Sequence, residues 1–370
     1  MGGDVTDLIV VVVVIGSRLI VPLFIPRFPL PAIFAALVID AVDKGVFELL
    51  TDINLDGYQT YDKALDIYYL TIAYVAVLRN WTNPFAVEVA RFLWYYRLVG
   101  VVLFELFENR ALLFVFSNVF EYFFIAYEIV RLKWNPRRLT RRHVLLLAAF
   151  IWIFIKLPQE WWIHIAQLDF TDFVKETVFG SDPADGWLAA FGNRPLVLAA
   201  LLLAGIVLVA VLLRLRRNLP EEDWTLRFDA DAPLPDDVPT GFTGPALRWP
   251  VFEKIALLTL VGIIFSQLLQ VGASNLQVLT VTAGVVGANV AVSALLARRG
   301  HHWRSIGTEF AVLLVLNATL IGVFSGLVSD GRINRAAAWF FGFLFTLIIT
   351  LYDRYRSQRL ARTVLDVPSR

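Results

Sequence analysis

Asp40, Asp43, Lys44 and Glu48 stand at helical spacing inside an otherwise apolar stretch. At about 100° per residue they share one face of a helix. Lys44 is four residues from both Asp40 and Glu48, so it can neutralise a carboxylate on either side. Further along, Glu88, Arg91, Arg97 and Glu105 fall within half the circumference of a second apolar helix. Asn118, Glu121 and Glu128 form a stripe on a third, and Arg18 and Asp66 complete the set. Eight carboxylates thus face four cations (Arg18, Lys44, Arg91 and Arg97) in apolar sequence. An uncompensated carboxylate in a low dielectric holds either a proton or a cation. The same groups arranged as closed ion pairs would only pin helices in register.

Aromatic residues interleave with these charges. Tyr68, Tyr69 and Tyr74 follow Asp66, Trp94, Tyr95 and Tyr96 lie between Arg91 and Arg97, and Tyr122 and Tyr127 adjoin Glu121 and Glu128. Their hydroxyls can extend a hydrogen-bond chain and their faces can meet a cation, although packing with a satisfied hydroxyl is the commoner use.

Asp52, Asn54, Asp56 and Gly57 match the opening of a calcium loop, with oxygen ligands at alternate positions and a glycine for the sharp turn. The twelfth position is Lys63 instead of a bidentate Glu, and Asp62 falls one residue early. Calcium bound there by Asp52, Asn54, Asp56 and Asp62 would be held weakly. An ordinary Asn/Asp/Gly turn is the competing explanation.

The chain has no phosphate-binding glycine loop and no paired-histidine zinc motif. Asp40-Ala-Val-Asp43 opens like the metal-binding pattern of the CDP-alcohol phosphotransferases. Lys44 stands where that pattern has Gly, however, and its second carboxylate pair is missing. Asp62 and Asp66 make a D-x-x-x-D, as in membrane prenyltransferases, without the partner motif on a distant span. No family is assigned on these fragments.

The elements that carry these residues follow from composition. Hydrophobic residues are 58% of 370 and the mean hydropathy is +0.66, well above the apolar share of a soluble domain. The apolar residues are bunched into runs of bilayer-spanning length. The expectation is an all-α, polytopic helical membrane protein of about eleven spans. They lie near 6–25, 30–50, 64–80, 84–107, 111–131, 143–158, 195–214, 252–271, 276–297, 306–327 and 336–352. Arg and Lys crowd the segments after 131, 214, 298 and 354, and with these spans all four share a side. The positive-inside rule then puts the N-terminus out and the C-terminus in, in a cell membrane crossed many times.

Residues 159–194, with Trp161, Trp162, His164 and Trp187, read as an outward interfacial helix and turn. Residues 218–250 form an acidic, proline-rich cytoplasmic linker. It separates a front block, 1–217, that holds the charges from a rear four-helix block, 251–370, with a basic tail. In the rear block Asn289 and Asn317 read as helix–helix hydrogen-bonding residues.

No cysteine is present, and four histidines argue against a histidine-built metal site. A net charge of +1 gives a nucleic-acid partner no support. The partners expected are the lipid bilayer and a small ion or small molecule, with a homo-oligomer also compatible. The leading reading is a transporter or channel-like protein with an acidic polar pathway through the first five spans. It would handle protons, a metal cation or an organic cation, and calcium is the one cofactor considered. A membrane-embedded enzyme acting on a lipid or lipid-linked substrate is the second reading, with carboxylates as acid/base or metal ligands. The third is a structural scaffold.

Overall fold

A computed structural model describes residues 3–51, 58–168, 170–183, 185–216, 249–269, 272–298, 306–328 and 335–365, with 221, 228 and 230 besides. Among the described residues the chain is all helical and has no strand. The first helices are α1 (Gly3–Ile20), α2 (Pro29–Leu50), α3 (Tyr58–Asn80) and α4 (Pro84–Phe107). Proline opens α2 and α4, where its missing N–H costs nothing. Asn83 caps α4 by accepting from the Phe85 and Ala86 N–H groups. Its amide donates to the Pro136 and Leu139 carbonyls, which anchors a loop to the cap.

Two departures from the expected spans concern the next stretch. The run 111–131 is not one helix but two, α5 (Ala111–Val115) and α6 (Val119–Lys133). The break falls at Phe116, Ser117 and Asn118, and α4 absorbs the carbonyls it frees. Tyr96 donates to Val115 O at 2.7 Å and Arg97 donates to Phe116 O at 3.2 Å. Gly100 makes the approach possible, since a Cβ there would lie 2.0 Å from the Phe116 Cβ.

The second departure is a helix that runs on. α7 (Arg141–Phe150), a π-helical stretch Ile151–Lys156, α8 (Leu157–Glu160) and a second π-helical stretch Trp161–Ile165 form one 25-residue rod. The expected span ended at about 158, where Pro158 stands. The wider π turn before it relaxes the clash between a proline ring and the preceding turn. Trp161, Trp162 and His164 therefore finish this rod and do not begin a separate interfacial helix. The remainder of 159–194 forms α9 (Phe170–Phe173), a π turn Val174–Phe179 and α10 (Trp187–Asn193). α10 meets α11 (Pro195–Arg216) at a bend of 99°.

The rear helices are α12 (Trp249–Leu268), α13 (Asn275–Arg298), α14 (Ile306–Val328) and α15 (Arg335–Leu365). They do not pack apart from the front ones. A single apolar core takes Tyr74, Trp94, Phe120 and Phe124 from the front and Leu257, Phe265, Phe345 and Tyr352 from the rear. Asn289 donates to the Asn317 side chain at 2.6 Å and Asn317 donates to Thr346 at 2.9 Å, a polar rung across α13, α14 and α15.

Among the described residues six helical runs, 111–133 with its break counted as one, are long and apolar enough to cross a membrane, or seven if the bent pair α10–α11 is one span. α11 presents large apolar side chains outward along its length, among them Leu202, Ile206 and Leu208. Such surface suits lipid and not water.

Candidate functional site

Three helices bring their charges to one point. Arg18 of α1 is 3% exposed and reaches four carboxylates. Asp40 and Asp43 of α2 accept from its two Nη groups. Asp62 and Asp66 of α3 accept at 2.9 and 3.1 Å. Tyr61 lays its ring 5.6 Å from the same guanidinium. If all four carboxylates are ionised, one guanidinium leaves them three charges in excess. Asp40, Asp62 and Asp66 each offer a ligand oxygen within 4.8 Å of the others, a spacing that could hold a metal ion. They are 26–33% exposed, so the cluster is open on one side, whereas Asp43 is sealed.

Spacing explains how the cluster assembles. Asp40 and Asp43 are one turn apart on α2, as Asp62 and Asp66 are on α3, so each helix presents a pair. Next to them, Tyr68 donates to Leu19 O at 2.8 Å and ties α3 to α1. A cavity of about 350 Å³ adjoins this contact, lined by Leu19, Tyr68, Leu314, Trp339, Phe340 and Phe343. It is apolar and half open.

The structure divides the remaining expected residues among three places. Arg91 leaves the polar face of the front block and pairs with Glu253 of α12 at 3.0 Å, and with the exposed Glu88 at 2.6 Å. Glu253 also accepts from Tyr74 and, at 2.6 Å, from Tyr352, with Arg356 3.5 Å away. Beside it Lys254 pairs with Asp353 at 2.9 Å. Glu128 is closed off by Trp81 at 2.7 Å and Arg131 at 2.8 Å. Arg97, Asn118 and Glu121 gather at the α5–α6 break. There the Asn118 amide donates to Glu121 at 2.5 Å, with Tyr69 beside the same carboxylate. Among the described residues no Lys or Arg reaches Glu121 within 4 Å.

Lys44 lies on the exposed side of α2, and the cation that holds Asp40 and Asp43 comes from α1. Glu105 is half-buried near Lys63, whose ammonium sits 3.8 Å from the Phe104 ring centre. The Glu48 side chain and Asp52, Asn54 and Asp56 lie outside the described residues. Asp62, expected at the end of that loop, points instead into the Arg18 cluster.

Glu253, Lys254, Asp353 and Arg356 were not singled out by sequence reasoning, because they stand at the ends of the expected spans, where a charge ordinarily reaches water. The signal for them was weak. Tyr352 and Arg356 are one turn apart on a helix that continues past its expected end. Lys156 and Glu160 were missed for the same reason. Glu160 accepts from the Asn118 N–H at 3.3 Å and pairs with Lys156 at 3.1 Å and His164 at 3.0 Å.

Comparison with protein-family models, with curated proteins and with solved structures finds no match to this chain.

Proposed function

We propose that this chain is a multi-pass membrane transporter or channel-like protein that binds a cation at the cluster of Asp40, Asp62 and Asp66. The observation that carries the reading is the convergence of four carboxylates from α2 and α3 on the single buried guanidinium of Arg18. In apolar surroundings such groups are expensive and face a bundle interior or a wet cavity. Arg18 then acts as a built-in occupant. It engages one oxygen of each carboxylate, and Asp40, Asp62 and Asp66 stay partly exposed, within reach of an incoming cation. A metal ion, an organic cation or a proton can weaken its hold by neutralising the same groups.

The reading keeps eleven spans, more than the six or seven that length and apolarity alone pick out among the described residues, with the N-terminus out and the C-terminus in by the basic-segment rule. In that orientation Asp62 lies near the outer end of α3. The 52–57 loop could then feed calcium to the cluster instead of closing around it alone. Purified protein in liposomes should take up a cation from a panel of sodium, potassium, magnesium, calcium and manganese. Asp66→Asn should abolish the uptake. Uptake of none of these ions, with no proton flux either, would remove the transporter reading.

One observation favours the second reading, a membrane-embedded enzyme or carrier for an amphiphile. The apolar cavity beside Tyr68 could take an acyl or isoprenoid chain whose head group reaches the carboxylates. A lipid that copurifies with the wild type and is lost on Phe340→Trp would support it over ion transport.

A further inference from the structure

We propose that the break between α5 and α6 is a hydrated proton-exchange site, with Glu121 as the carboxyl that gains and loses the proton. The proposal deepens the cation-handling reading by naming a place for the proton outside the Arg18 cluster.

The break is a built feature, since Tyr96, Arg97 and Gly100 of α4 are shaped to receive it. Discontinuous helices within a membrane are tolerated where they line a cavity or are packed in protein. Here the polar groups are not all satisfied. Ser117 is fully buried and its Oγ has no partner among the described residues. Asn118 is 8% exposed and its Oδ1 has none among them, and neither has the Nε of Arg97. The three lie around one kink, at Phe116, Ser117 and Asn118. A donor, an acceptor and a hydroxyl left unpaired at one buried place match the bonding needs of water.

Glu121 is the carboxylate at this kink, 7% exposed. The groups around it can be named element by element. α3 supplies Tyr69 beside it, with Asp66 one turn away, and α2 supplies Asp40. α4 supplies Arg97. The 141–165 rod supplies Lys156 beside it and Glu160, the latter held by His164. The bonds run from Glu121 to the Asn118 amide, from the Asn118 N–H to Glu160, and from Glu160 to His164, which is 16% exposed. Asn118 contributes only N–H donors here, so it positions Glu121 and Glu160 and carries no proton itself. The proton comes from a bulk hydronium ion through water seated at the kink and forms the O–H of Glu121, and deprotonation returns it to bulk water by the same water, so atoms and charge balance. No redox partner is involved.

Infrared difference spectra of the reconstituted protein after a bulk pH step test this directly. The wild type should show a protonated-carboxyl stretch that shifts in D₂O, and Glu121→Gln should lose it. Asn118→Ala should move the band's frequency, since it removes the amide's bond to that carboxyl and leaves the acid in place. Ser117→Val should slow the deuterium shift. A band unchanged in Glu121→Gln, or a carboxyl that does not respond to the pH step, would overturn the proposal. If Glu121→Gln fails to fold, an unmoved band in Asn118→Ala overturns it instead. Cation-induced stabilisation of Glu121→Gln separates the two claims, because the Arg18 cluster is intact in that variant. A wild type with no cation response but a titrating Glu121 band would defeat the cation reading alone.

Discussion

Glu253→Gln removes a buried charge that joins four helices, and its cost can be worked from the contacts. The carboxylate is 2% exposed and gathers Tyr74, Tyr352, Arg91 and Arg356 from α3, α15 and α4. Each hydrogen bond to a charged group is worth about 1.5–3 kcal/mol, but three bonds that share one carboxylate do not add. A better scale is the loss of one partner from a buried pair, about 3–5 kcal/mol, because Arg356 loses this counter-ion and Arg91 keeps only the exposed Glu88. At roughly 2–4 °C per kcal/mol the apparent melting temperature should fall by roughly 6–20 °C, toward the lower figure for a chain of this length. Glu88→Gln is the internal control. It strips a partner from the same Arg91, but its side chain is 57% exposed, so the loss should stay below about 1 kcal/mol. Thermal unfolding of both variants in one detergent reads the contrast. A Glu253→Gln protein that melts with Glu88→Gln would refute the claim that this carboxylate fastens the front helices to the rear ones.

Three more outcomes follow from the packing. Gly100→Ala drives a Cβ into Phe116 and should lower the melting temperature, while Phe116→Ala in the same chain should restore part of it. Asn317→Leu breaks the rung between α13, α14 and α15 and should cost roughly 0.6–1.7 kcal/mol by thermal unfolding. Arg18→Met leaves four carboxylates without their guanidinium. That variant should be strongly destabilised at neutral pH and recover when the medium is acidified or a divalent cation is added, read as folded monomer by size-exclusion chromatography.

Much of the helical plan was legible, because runs of apolar residues near twenty long have few other uses. The Arg18 cluster was half legible. Asp40 and Asp43 announced themselves by one-turn spacing, but Lys44 looked like their partner, since an i,i+4 pair can be read from one helix alone. Arg18 could be counted but not placed. Which of three helices meets which is a matter of packing that no local pattern encodes. Asp62 was assigned to the loop because the calcium-like spacing runs up to it, whereas one turn of helix aligns it with Asp66. The α5–α6 break was illegible for a related reason. Phe116, Ser117 and Asn118 contain neither proline nor glycine, and the groups that make the break affordable, Tyr96, Arg97 and Gly100, belong to another helix. The Glu253 network depends on partners 99 to 179 residues away in sequence.

The central claim is that Asp40, Asp62 and Asp66 together bind a cation. It is tested most directly by melting the wild type and the triple variant Asp40→Asn, Asp62→Asn, Asp66→Asn across a concentration series of sodium, potassium, magnesium, calcium and manganese. A ligand at a hundred times its dissociation constant adds about 2.7 kcal/mol to the folded state. The account predicts that at least one cation raises the wild-type melting temperature in a saturable way, and that the triple variant, folded and active in control spectra, shows no such rise. A wild type indifferent to every cation, or a triple variant stabilised as much as the wild type, would contradict it.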